Sequence, residues 1–407
     1  MSNESIYVSA PGKIILFGEH AVVYGKTAVA GTINLRIHVS LHQSTERKIR
    51  FAIPKFGVEK TWTFDDFPDL NDFGRDRFPP SIDDFNLWAK KTSVLMDQDS
   101  KIEKALSVFW YLLLGVYGQK CSDQRPLNPN LPDNELNRIT ADLLAVNLTV
   151  KSDLSACVGL GSSGAYCVCI STALLQSFGI ISTPSIAVGT KGDLTWEAQD
   201  LEKIKTWSSA AESIIHNGSS GLDVTMTMLG GVARYKKGGP ITILQHVPEL
   251  KVILVNSKVE RNTGDMVKLA RQRREKSPET VDDIYDSIDS ISHQAVDFLS
   301  KPGNPDFYNF LNDLSKQCNR HLNDLGVGHQ TLDQICTLLA NFGINAKITG
   351  AGGGGCVFGF MKPDIDPTVL NTMEAELSQQ GYEVQYPSLG GSGVLGHAAE
   401  PSLSNSP

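Results

Sequence analysis

Six residues, Gly159-Leu160-Gly161-Ser162-Ser163-Gly164, bring three glycines and two hydroxyls together just ahead of the apolar run from Ala165 to Leu175. Small residues at the start of a helix let backbone N–H groups converge, and the helix dipole adds positive potential, so an anion is favoured there. Ser162 and Ser163 add oxygens able to hold phosphate or a metal ion. A tight turn with a serine cap accounts for one glycine and one serine of the six, and leaves the rest of the cluster unexplained.

The stretch fits the dinucleotide pattern G-x-G-x-x-G letter for letter. That reading requires an acidic residue about 20 positions on to hold the ribose, and no Asp or Glu occurs from Ala165 to Gly192. What survives is a site that favours phosphate. Two other phosphate signatures are incomplete. Gly25-Lys26-Thr27 ends like a P-loop, but His20 stands where its first glycine belongs. Asp72-Phe73-Gly74 resembles a protein-kinase element without the H-R-D that should precede it.

A second glycine cluster, Gly350-Ala351-Gly352-Gly353-Gly354-Gly355, lies between the apolar stretches around Ile348 and Val357. So many consecutive glycines cost backbone entropy and persist where something must lie flush against the main chain. Charges complete the set. Lys13, Glu19 and His20 flank the apolar Ile14-Ile15-Leu16-Phe17, where ionisable groups should pair or meet a ligand. Glu212 sits near the end of a helical stripe, where the dipole disfavours a carboxylate, and Asp223 follows the turn Gly218-Ser219-Ser220-Gly221.

The elements that must position these groups follow from periodicity. Alternation predicts strands with one buried face at Ile6 to Ala10, Ile33 to Leu41 and Val146 to Val150, and short strands at 231–235 and 251–255. A helix should follow Gly164 and stop at Gly179. Others are expected over about 195–216, 263–275, 279–300, 305–324 and 329–342, with strands around 346–350 and 355–361. Residues 64–86 and 121–136 read as irregular surface segments and 398–407 as a disordered tail. The pattern restarts near residue 245, which suggests domains of 1–245 and 246–397.

Composition bounds the partners. With 407 residues, a formal net charge of −8 and a pI near 5.6, the chain lacks the basic surface that nucleic acid or an anionic membrane needs. The apolar run Ala105 to Gly118 is too short to span a bilayer and reads as a buried helix. Seven cysteines with no C-x-x-C pair read as reduced, buried thiols. No secretory signal or peroxisomal address is visible, so a cytoplasmic protein is expected.

APGKIILFGEHAVVYGK, VGLGSSGAYCV and KITGAGGGGCVFGF together resemble the three motifs of the galactokinase, homoserine kinase, mevalonate kinase and phosphomevalonate kinase superfamily. Within it the chain is most similar to the mevalonate kinases, supported by NGSSGLDVTMTMLGGVARYKKG, LVNSKVERNTGDMV and HLNDLGVGHQTLDQIC. The resemblance covers about residues 6–397. It implies an α+β fold of two domains, each a mixed sheet packed with helices, and an active site in the cleft between them. ATP would be wrapped by Gly159, Leu160, Gly161, Ser162, Ser163, Gly164 and Ala165, with Mg²⁺ on Ser163 and Glu212. Asp223 would accept or polarise the proton of the mevalonate hydroxyl, assisted by Lys13. Glu19, His20, Tyr166, Thr349, Gly350, Ala351 and Gly352 would face the substrate side.

The resemblance further implies a homodimer and inhibition by prenyl diphosphates that compete with ATP. Leu154-Ser155-Ala156-Cys157 departs from the family, which usually shows Pro and Gly at the entry to the loop. Another small-molecule kinase of the superfamily and a non-catalytic ligand sensor are the alternatives, the second disfavoured by intact Lys13, Ser163, Glu212 and Asp223.

Overall fold

The computed structural model describes residues 5–63, 77–124, 144–154, 159–189, 192–216, 221–301, 304 and 306–403. The turn at 217–220, the loop entry at 155–158, Asp72-Phe73-Gly74, the Pro-rich stretch 125–136 and the last residues 404–407 lie outside them.

The strands are β1 (Ile6–Phe17), β2 (Ala28–Gln43), β3 (Lys48–Ile53), β4 (Val58–Thr63), β5 (Val146–Ser152), β6 (Ile186–Val188), β7 (Asp193–Thr195), β8 (Val232–Tyr235), β9 (Thr242–Ile243), β10 (Leu250–Asn256), β11 (Lys347–Ile348), β12 (Cys356–Phe360), β13 (Glu383–Gln385), β14 (Ser388–Leu389) and β15 (Leu395–His397). The helices are α1 (Ile82–Ala89), α2 (Ser100–Gln124), α3 (Ser162–Ser177), α4 (Ala198–Ile215), α5 (Leu222–Leu229), α6 (Thr263–Lys276), α7 (Pro278–Leu299), α8 (Phe307–Asp324), α9 (Gln330–Asn341) and α10 (Pro367–Gln379).

Hydrogen bonding joins the strands into one network whose main path runs β11-β12-β10-β14-β2-β1-β15-β7-β6. Every strand pair is antiparallel except β3 with β5. The long strand β2 is the spine, pairing with β1, β5, β8 and β14. Short β14 links it to β10, and β15 returns to pair Tyr7 with His397 on β1.

Sequence alternation gave β1 and β2 one buried face each, and both are buried on two. Polar residues on β2 go under with partners for most of their groups, though His38 Nδ1 has none among the described residues. Thr32 donates to the carbonyls of Gly231 and Gly391, and His38 lies 3.3 Å from the Asp153 carboxylate. Helix α3 supplies part of the cover. It is buried at every position from Gly164 to Leu175 and packs on β1, β2, α4 and α5.

Two irregular segments prove partly helical. Residues 82–89 form α1 because Ser81 caps the Asp84 N–H while Phe85 and Trp88 reach the core. Residues 121–124 continue α2, whose apolar centre, including Phe109, Trp110 and Leu113, is buried as expected. In the tail, Glu400 pairs with Lys151 at 2.6 Å. No helix among the described residues is long and apolar enough to cross a membrane.

Candidate active site

A register shift between Pro11 and Gly12 breaks the β1–β2 ladder just before Lys13. Proline cannot donate to a ladder, so a bulge is where a strand tolerates it. The shift leaves the Lys13 N–H free to donate to the Leu160 carbonyl at 2.8 Å, which seats Lys13 beneath the first glycine turn. Gly161, at φ 72° the residue capping α3, has Lys13 where its side chain would be: a β-carbon there would lie 2.8 Å from Lys13 Cγ. Gly164, in the first turn of α3, makes the same allowance for Asp223, which a β-carbon would meet at 3.0–3.2 Å.

Asp223 itself stands in the first turn of α5, where the dipole favours a carboxylate. Its Oδ1 accepts the Lys13 ammonium at 3.0 Å, with the lysine side chain 8% exposed and the aspartate 28%. Two helix N-termini and a cation therefore converge on one partly open point. The glycine turn, Lys13 and Asp223 are thus brought together.

Arg261 is the site residue that sequence reasoning missed. A β-carbon on Gly159 would lie 1.5 Å from its Nη2, and one on Gly350 would lie 2.9 Å from its Nη1. The half-buried guanidinium thus spans both glycine clusters, and its Nη1 donates to the Thr349 carbonyl at 3.5 Å. Burial pulls its basicity below the ordinary arginine value. A fixed cation without a described carboxylate partner, beside a helix N-terminus, is suited to a polyanion.

The remaining candidates divide. Thr349 is tied into β1, accepting from the Ile15 N–H and donating to the Ile15 carbonyl, at 3.1 and 2.9 Å. His20, held at φ 60°, donates from Nε2 to the Ala351 carbonyl at 2.9 Å, and burial lowers its pKa so that it stays neutral. Glu19 is 1% exposed and ion-paired with Lys347. Gly352 presses on the Val327 carbonyl, which a β-carbon would meet at 2.1 Å. Tyr166, buried in α3, donates its hydroxyl to the Ala105 carbonyl at 2.7 Å, and burial drives its pKa up.

Ser163 Oγ lies 3.2 Å from His216 Nε2, at the end of the helix that carries buried Glu212 one turn earlier. Ser163 thus offers a hydroxyl at the glycine turn, and Glu212 a buried carboxylate on the neighbouring helix, both hard oxygen donors. Among the described residues no cluster of three or more His, Cys, Asp or Glu could enclose a metal ion. The set fits Mg²⁺, which keeps several waters and phosphate oxygens and needs few protein ligands. The near P-loop is unrelated: Lys26 pairs with Asp286, and the Thr27 N–H donates to Asp289.

Residues 305–379 match the family described as GHMP kinases C terminal. Mevalonate kinase of Mus musculus is 34% identical over 408 residues, 98% of this chain and 97% of the relative. The Homo sapiens mevalonate kinase is 36% identical over 409 residues, with 98% and 96% covered. Among solved structures, Methanococcus jannaschii mevalonate kinase superposes with a TM-score of 0.65 at 18% identity, covering 96% of this chain and 100% of its own. The L. major mevalonate kinase in complex with R-mevalonate follows at 0.63 and 17%, covering 95% and 96%. With a matching fold, a phosphate-ready glycine turn over an ion-paired lysine and aspartate, and this identity along nearly its whole length, the chain belongs to the mevalonate kinase family.

Proposed function

We infer that the chain transfers the γ-phosphoryl group of ATP to the primary hydroxyl of (R)-mevalonate, giving 5-phosphomevalonate and ADP. The observation that carries this reading is the Lys13–Asp223 pair, 3.0 Å apart beneath the N-terminus of α3, in a member of this family. Phosphoryl transfer needs alignment and charge neutralisation more than covalent catalysis, and the site offers both.

The backbone N–H groups at the start of α3 take phosphate oxygens, and Arg261 takes further negative charge between the two glycine clusters. Lys13 holds the Asp223 carboxylate and the alcohol oxygen in one place. As the alcohol oxygen bonds to Pγ and the bond from Pγ to the ADP oxygen breaks, the hydroxyl proton passes toward Asp223 Oδ1. Ser163 and Glu212 would hold Mg²⁺, which when bound supplies positive charge to the phosphates. In this reading the chain divides near residue 245, except that β14 and β15 return to the sheet of the first half, and the cleft between the halves is the site.

An ATP-consumption assay with mevalonate, phosphomevalonate, galactose and homoserine tests the reading. Turnover with mevalonate alone is expected. Preference for another acceptor, or no turnover with any, overturns it.

A further inference from the structure

Lys347 is fully buried, and its ammonium lies 2.5 Å from Glu19 Oε1 and 2.6 Å from the Ile348 carbonyl. The other carboxylate oxygen of Glu19 faces the Cys318 thiol at 4.0 Å, and burial pushes that thiol up to about 12, so it remains neutral. Rings of Phe358 and Phe17 stand 5.2 and 5.8 Å from the ammonium. Glu19 therefore has both oxygens turned into the protein, and 1% exposure leaves no face for a substrate.

Burying two charges is costly, and a well-packed apolar pair often serves stability as well or better. What an apolar pair cannot do is bind a carboxylate and a main-chain carbonyl at once. Lys347 does this where β11 ends and the second glycine cluster begins. The residues after it are laced to the same turn of β1: Thr349 to Ile15, and the Ala351 carbonyl to His20, the neighbour of Glu19.

We propose that Lys347 and Glu19 form a buried brace that sets the second glycine cluster against the His20 turn, and that both are positioning residues for the acceptor end of the site. Neither touches substrate. The brace acts through the His20–Ala351 contact, while at the phosphate end α3 and Lys13 are joined by the bond from the Lys13 N–H to the Leu160 carbonyl. The proposal rests on the acceptor reading given above.

The test is steady-state kinetics with mevalonate and ATP varied separately, on Lys347→Met, Glu19→Gln and the double variant. Lys347→Met should raise the mevalonate KM and lower kcat by about tenfold or more, with the ATP KM within about threefold, because the link from Glu19 to the Ile348 carbonyl is lost. The double variant relieves the unpaired buried charge but does not restore that link, and its mevalonate KM should stay raised. Unchanged kinetics in Lys347→Met overturn the proposal. A double variant restored to the kinetics of the unaltered enzyme also overturns it, since the link from Glu19 to the Ile348 carbonyl is then not what sets the acceptor end.

If Lys347→Met does not fold, Lys347→Arg carries the test: its wider fork keeps the charge and displaces the brace. A raised mevalonate KM with an unmoved ATP KM supports the proposal, and unmoved values for both overturn it. Turnover by the unaltered enzyme tests the reaction, and only the ratio of variant to unaltered enzyme tests the brace.

Discussion

Arg261 occupies the space that a side chain on Gly159 would need, its Nη2 lying 1.5 Å from the position of a β-carbon there. A residue distant in sequence thus forms one wall of the phosphate turn. Lysine has neither the planar fork nor the reach to touch both glycine clusters. Arg261→Lys should raise the ATP KM about tenfold to a hundredfold, the ~1.5–3 kcal/mol of a charge-assisted hydrogen bond. Nucleotide titration and steady-state kinetics check this, and an unchanged ATP KM would remove Arg261 from phosphate binding.

The Lys13–Asp223 contact makes a sharper demand on chemistry than on binding. Asp223→Ala should lower kcat by about 10²–10⁴, the usual contribution of a positioned proton acceptor. ATP should still bind, as followed by a fluorescent nucleotide analogue. Ordinary turnover in this variant would take Asp223 out of its role.

Gly164 separates α3 from Asp223 by less than the room a methyl group needs. Gly164→Ala should displace the carboxylate without unfolding a helix that alanine favours. A shift on the order of 1 Å in a reacting group costs about 10²-fold. We expect kcat to fall by at least about tenfold with the thermal midpoint lowered only slightly, measured by kinetics and calorimetry on one preparation.

Acidification should destabilise the protein through His20. Burial lowers the pKa of His20 below 6.5 in the folded chain. Below pH 6.5 the unfolded chain takes up a proton that the folded one refuses, so stability is complete above this value and is lost as pH falls toward the folded pKa. His216, His321 and His397 share the direction, each lowered mainly by burial. Each adds at most about 1.4 kcal/mol per pH unit to the slope. Urea unfolding from pH 7.5 to 5 should show the loss, and His20→Gln should flatten it. Equal slopes in the two proteins would contradict the assignment.

Sequence periodicity located α3 and the helices from α6 to α9 to within a few residues. It found only parts of β1, which runs on to Phe17, and of β2, which starts at Ala28, because both faces of these strands are buried and alternation fades. The glycine clusters were legible from residue type and spacing, and Lys13 and Asp223 as a pair only through the resemblance. Arg261 and Lys347 were not. Arg261 lies on an irregular stretch between β10 and α6, and its importance comes from contacts with Gly159 and Gly350. Lys347 reads as an ordinary strand-end lysine until β11 is placed beside Glu19. Helix α1 was missed because its anchors, Phe85 and Trp88, sit in a stretch dominated by Asp and Pro. The one signal for Arg261 was its place in LVNSKVERNTGDMV, which carried the resemblance without a role of its own.

Strand β15 pairs with β1, and Arg36 on β2 donates to the carbonyls of Ser392 and Gly393 as well as to Ser9. The sheet that cradles Lys13 is therefore incomplete until residues 392–397 have been made. A nascent chain without them lacks the strand that seals β1, and the catalytic half should mature only once they have left the ribosome exit tunnel.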